Sequence, residues 1–157
     1  MGAGAGAVGL AAMEIGLPAA TASASEDSQG NSGSGVEGAW RIVHTDTTPD
    51  TDSAEAIVTF ADGGGLVARD INPPGDAQLG AWRATGDRRF VATFFDSFSE
   101  GPSGPVHIVK VIVKGTVDDD NDKISGTYTF TITPPPPEFP ASGGTGTFEG
   151  SRLVAGS

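Results

Sequence analysis

The sequence predicts an all-β protein, an eight-stranded antiparallel up-and-down β-barrel. Three observations point there. Glycine and proline supply 24 and 11 of the 157 residues, and no stretch sustains a helical period. From Val36 onward, runs of β-branched and aromatic residues alternate with Gly, Pro, Asp and Asn clusters, which marks eight strands. The connections between those runs alternate long and short, as expected of a meander whose alternate loops lie at the same end.

Residues 1–24 are small and apolar and end in Ala22-Ser23-Ala24, a small-residue cleavage pattern that predicts export and an extracytoplasmic or secreted protein. The same composition fits a plain Ala/Gly leader. Its uninterrupted apolar stretch is well short of the ~20 residues a membrane span needs. Residues 25–35, SEDSQGNSGSG, have no large apolar side chain and read as a flexible tether. One β-barrel domain is expected over 36–157.

Strands are expected at about 38–45, 54–61, 66–70, 78–84, 90–98, 106–117, 124–133 and 145–154, and alternation assigns their faces. On the first, Trp40, Ile42 and His44 share a face. Ala56, Val58 and Phe60 do so on the second, and Gly80 with Trp82 on the fourth. The fifth strand turns Phe90, Ala92, Phe94, Asp96 and Phe98 inward. On the sixth, Lys110 and Lys114 mark the wet row, leaving His107, Val109, Val111 and Val113 inside. The seventh has a threonine row outside and Ile124, Gly126, Tyr128, Phe130 and Ile132 inside. Long connections are expected at 46–53, 71–77, 99–105 and 134–144, and tight turns at 62–65, 86–89 and 119–122. One end would be closed by turns and the other framed by long loops, which suits a barrel with a single mouth.

Charge and composition exclude several functions. With 9 Lys and Arg against 20 Asp and Glu, the net charge of −11 repels phosphate backbones, so no nucleic-acid partner is expected. The absence of cysteine removes disulfides, thiolate catalysis and cysteine metal sites. No G-x-S-x-G, H-E-x-x-H or P-loop pattern occurs, and Gly63-Gly64-Gly65 has no helix after it, so no cofactor is implied. The run Asp118-Asp119-Asp120-Asn121-Asp122 lacks the Gly and distal Glu of a calcium loop and reads as a solvated turn rather than a metal site.

Gly38-Ala39-Trp40, a G-x-W on the first strand, together with an Arg on the last, resembles the calycin (lipocalin-like) pattern. There the indole closes the barrel floor and the arginine packs across it, a role that falls here to Arg152. The series GAW, TFADGGG, GAW and TGDRRFVATF is also similar to small exported bacterial lipocalin-like proteins, and the resemblance covers residues 36–154. The second-hairpin motif, disulfide and C-terminal helix of typical lipocalins are missing, which keeps an allene-oxide-cyclase-like barrel as the alternative.

Matching the inward rows of the fifth and sixth strands puts Asp96 opposite His107, within reach of a carboxylate–imidazole hydrogen bond beside the 99–105 loop. Together with Tyr128, which could donate to a ligand carbonyl, they are the candidate acid–base residues. The alternatives are a solvated polar rim and a tyrosine satisfied by backbone. His44 and Gln78 fall at the same mouth, and Trp82, Phe90, Phe94, Val111 and Phe130 are expected to line an apolar cavity. Phe139, after Pro134–Pro137, is a candidate lid contact. The expected function is binding of a small hydrophobic molecule by a monomer. The alternative is a cyclase or isomerase that folds a flexible apolar substrate.

Overall fold

Eight antiparallel strands close into one barrel in the order β1 to β8, with β8 pairing back on β1, in a computed structural model that describes residues 35–49, 51–137 and 142–156. The leader (1–24), the tether before Gly35 and Phe139 lie outside the described residues. The strands are β1 (Gly38–Thr48), β2 (Ser53–Phe60), β3 (Gly65–Asn72), β4 (Pro74–Gly86), β5 (Arg89–Ser99), β6 (Val106–Val117), β7 (Lys123–Thr133) and β8 (Gly143–Arg152). Among the described residues no helix is long and apolar enough to cross a membrane.

The predicted faces hold except at the mouth end of β5, where Phe98, expected inside, is 41% exposed and lies beyond the enclosed interior. Trp40, Val58, Leu66, Trp82, Phe90, Val113 and Ile124 are buried, whereas Phe95 is half exposed on the outer row. That row also carries Val67 and Leu79, which sit directly opposite one another, with Leu79 in turn opposite Phe95.

One expected long loop is absent. β3 and β4 keep pairing as far as Ile71 and Pro74, so Pro73 alone joins them where a loop over 71–77 was expected. Proline lacks the N–H of an inner ladder position but is tolerated at the first residue of a strand, where Pro74 stands. The other long connections, 49–52, 100–105 and 134–142, do share one end of the barrel.

The opposite end is sealed. Arg152 lies over the Trp40 ring with its guanidinium carbon 4.2 Å from the centroid. Its Nε donates to Asn121 O at 2.6 Å, one terminal nitrogen to Glu37 O at 2.6 Å and the other to Gly35 O. A planar fork with five donors can hold three backbone carbonyls at once, tying the segment that enters β1 to the turn between β6 and β7. Trp40 Nε1 donates to Val36 O at 2.8 Å, so the fully buried indole has no unsatisfied polar atom. Above this pair, Phe60 meets Trp82 and Phe90 edge to face at 5.7 and 5.1 Å. Enclosing each of these rings contributes roughly 1.5–3 kcal/mol, which makes this end the structural core.

Glycine completes the interior. Phe94, Phe130, Tyr128 and Phe148 each lie directly opposite a glycine on the next strand, namely Gly80, Gly144, Gly146 and Gly126. The ring folds over the space a side chain would fill, as an added Cβ at Gly144 would come within 2.7 Å of Phe130 Cζ. Bulky rings therefore fit a narrow barrel because their cross-strand neighbours have no side chain.

Candidate functional site

Between the floor and the long-loop end is a cavity of about 270 Å³. Its wall is largely hydrocarbon, with Ile42, Val58, Phe94, Val111, Phe130 and Phe148 among the lining side chains. The polar groups in the wall are His44, Asp46, Asp70, Gln78, Asp96 and Tyr128. Apart from Tyr128, at mid-strand, they belong to the mouth ends of β1, β3, β4 and β5. No Lys or Arg lines the space.

These polar side chains meet across strands because small residues let them pass. His44 Nε2 lies 3.0 Å from Asp70 Oδ1, reaching from β1 to β3 over Ala54 and Ala56 of β2. The Tyr128 hydroxyl donates to Asp46 Oδ1, reaching from β7 to β1 over Gly146, which is paired with both. An added Cβ at Gly146 would fall within 3.0 Å of the Tyr128 ring and hydroxyl, so this crossing requires glycine. Gln78 Nε2 donates to Asp96 Oδ2 at 3.1 Å, and Asp96 Oδ1 accepts from the Ser97 N–H at 2.7 Å. The His44 and Tyr128 rings meet edge-on, 6.1 Å apart.

Burial, reinforced by the hydrogen bond to Asp46 and by the charges of Asp46 and Asp70, pushes the Tyr128 hydroxyl far above the usual tyrosine range. It is a neutral hydrogen-bond donor, and proton release from it is strongly disfavoured. What the arrangement can do chemically is accept hydrogens at three carboxylates and enclose hydrocarbon below, the single hydrogen of the Tyr128 hydroxyl being held by Asp46.

The expected Asp96–His107 pair does not form. Asp96 is opposite Val109, and His107 is opposite Phe98. The ladder continues through Ser99 and Val106, two residues beyond the expected offset, and a slip of two leaves every side chain on its face, so alternation cannot detect it. His107 lies outside the cavity wall, buried against Glu100 and Pro134, where the connections after β5 and β7 begin. Its ring stacks on Phe98 at 4.9 Å and Nδ1 bonds to Pro134 O at 2.7 Å. Nε2 is 3.2 Å from Glu100 Oε1 but at an angle that makes no hydrogen bond. This is a loop anchor.

Trp82 and Phe90 are likewise absent from the cavity wall, since their rings pack into the floor, with Trp82 Nε1 donating to Ala61 O at 2.9 Å. Phe94, Val111, Phe130, Tyr128, His44, Gln78 and Asp96 do line the cavity. Asp46 and Asp70 line it as well, although sequence reasoning missed them. Their signal was the period of two, because Asp46 continues the row of Trp40, Ile42 and His44, and Asp70 continues that of Leu66 and Ala68. β1 extends further toward the mouth than its composition suggested, whereas Asp70 already lay within the expected third strand.

In the acidic turn, Asp118 Oδ1 accepts from the N–H groups of Asp122 and Lys123 at 2.9 and 3.0 Å, Arg88 pairs with Asp119, and Asn121 takes a positive φ of 58°. These carboxylates serve the turn itself.

Comparisons with protein-family models, with curated proteins and with solved structures gave no match to this chain.

Proposed function

We propose that this protein is a lipocalin-like binding barrel that takes up a small, predominantly apolar molecule through its long-loop end. The observation that carries the reading is the cavity itself. It is a largely hydrocarbon space of about 270 Å³ above a sealed floor, with a few polar groups converging at one end. The calycin-type floor, with Arg152 across Trp40, supports the lipocalin-like comparison. The small-residue leader pattern supports action outside the cytoplasm.

The test is thermal unfolding and calorimetry against a panel of mono- and bicyclic apolar compounds. A ligand present at a hundred times its Kd stabilises the fold by about 2.7 kcal/mol. If no compound raises Tm or gives saturable heat, the reading is wrong. Trp40 and Trp82 are poor direct reporters because both belong to the floor.

A second reading, a barrel cyclase or isomerase, draws on the pairing of His44 with Asp70 beside Tyr128 at the same space. A carboxylate orients an imidazole for proton transfer. That version requires a substrate whose turnover falls at least a hundredfold in His44→Ala; undiminished turnover would exclude the acid–base role.

A further inference from the structure

We infer that the occupant of the cavity is a cationic amphiphile, a compact apolar body bearing one protonated amine. This rests on the reading of the cavity as a ligand site and names the chemistry of what fills it.

Among the described residues three carboxylates stand in the cavity wall, Asp46 on β1, Asp70 on β3 and Asp96 on β5, with no Lys or Arg in that wall to balance them. Two of the three are met by uncharged donors. Asp46 accepts from the phenol of Tyr128, and Asp96 from the amide of Gln78 and the Ser97 backbone. A neutral donor satisfies one lone pair but leaves the carboxylate's full charge in place. His44, against Asp70, is the one side chain in the wall that can become cationic. The wall therefore carries negative charge in excess, in a partly enclosed space where charges interact more strongly than in open water.

A cation complements that arrangement best, since it supplies both donors and the missing positive charge. An ammonium has three donors and no acceptor, and Asp46 and Asp70 each use one oxygen on their protein partner, leaving the other to accept. The aromatic rings of Tyr128 and Phe130 belong to the same wall, and an aromatic face attracts a cation where one approaches it. A fatty acid or other anionic amphiphile would bring a fourth negative charge to the same place. The net charge of −11 extends the preference outward, drawing cations toward the protein and repelling anions.

Size limits the body. A buried cavity of about 150 Å³ accommodates benzene, so 270 Å³ admits roughly a fused bicycle.

The test uses three probes of one shape, 1-naphthylmethylamine, 1-naphthalenemethanol and 1-naphthoic acid, titrated calorimetrically into the full chain at pH 7 and low salt. The amine is expected to bind about tenfold to a hundredfold more tightly than the alcohol, the difference a charge-assisted hydrogen bond makes, and the acid more weakly than either. In Asp46→Asn and Asp70→Asn, isosteric changes that retain an acceptor oxygen, the amine-to-alcohol preference should fall about tenfold. If the alcohol binds as tightly as the amine, if the acid binds best, or if both variants keep the full preference, the inference is overturned while the cavity remains a binding site. If none of the three binds, the reading of the cavity as a site for bodies of this size fails as well.

Discussion

Gly146→Ala tests the crossing that brings Tyr128 to Asp46. The added Cβ would lie inside 3.0 Å of both the Tyr128 Cζ and hydroxyl, and 2.6 Å from the Thr45 carbonyl oxygen, where ordinary contact begins near 3.4 Å. The Thr45 oxygen belongs to the β1 strand backbone and yields little, so the tyrosine ring must retreat and its hydroxyl leaves Asp46. Overpacking a filled interior costs about 1–3 kcal/mol, and losing a hydrogen bond to a charged acceptor costs about 1.5–3 kcal/mol. The two share one displacement and do not add in full, so we expect a loss of about 2–4 kcal/mol, seen as a fall in Tm of roughly 8–15 °C. Urea unfolding followed by circular dichroism measures it. Repeating Gly146→Ala in a Tyr128→Ala background should reveal a coupling of at least about 1 kcal/mol, since the ring that clashes is gone. A cost under about 0.5 kcal/mol, or an equal cost in both backgrounds, would refute the claim that the glycine exists to pass the tyrosine.

Tyr128 is the single tyrosine of the chain, so an ultraviolet titration of the native protein reads it alone; its midpoint should lie well above the ~10 of the denatured chain. Because only the unfolded state then ionises this group, its contribution is constant below pH ~10 and stability falls as pH rises past that value. Arg152→Ala removes three donors and the contact with Trp40 and should cost about 2–3 kcal/mol in urea unfolding. Arg152→Lys should recover less than half of that, since a compact ammonium cannot match the fork that reaches three carbonyls on two backbone segments; full recovery would show that charge alone suffices. Val111→Phe fills cavity space, so it should leave stability unchanged or raise it by up to about 1 kcal/mol while weakening ligand binding at least tenfold; a loss above about 2 kcal/mol would mean the space is already packed. In the acidic turn, backbone hydrogen bonds, that from Lys123 foremost, hold Asp118 below the usual carboxylate range, while the neighbouring Asp118 raises Asp122. On acidification, Asp122 should therefore take up its proton before Asp118, as carbon-detected NMR can show.

The barrel was legible because its signals are local. Alternation on β6 and β7 sorted Val111, Tyr128 and Phe130 from Lys110, Lys114 and the threonines, and the G-x-W and Arg152 marked the two halves of the floor. Strand ends were less so. Gly143 and Gly144 looked like loop, yet they are strand, paired with Thr131 and Phe130 of β7, with the Phe130 ring folded over Gly144, contacts invisible to local composition. A similar extension of β1 placed Asp46 in the wall, while Asp70 already stood at the end of its expected strand on the inward row.

By itself, the sequence determined the eight strands, which face of each is buried, and the gathering of most long connections at one end. Each of these follows from the period-two geometry of a strand and from turn chemistry within a few residues. Only the tertiary structure decided who meets whom. A two-residue slip between β5 and β6 replaced an Asp96–His107 pair with a His107 anchor against Phe98 and Pro134. Closure of the sheet put Tyr128 within reach of Asp46 across Gly146. How far one strand runs past its neighbour is set by turn length and by which side chains fit together inside, and the pattern of hydrophobic residues is the same for every even offset. The division of the aromatics between floor and cavity, and the company of three carboxylates at the mouth, are consequences of that register.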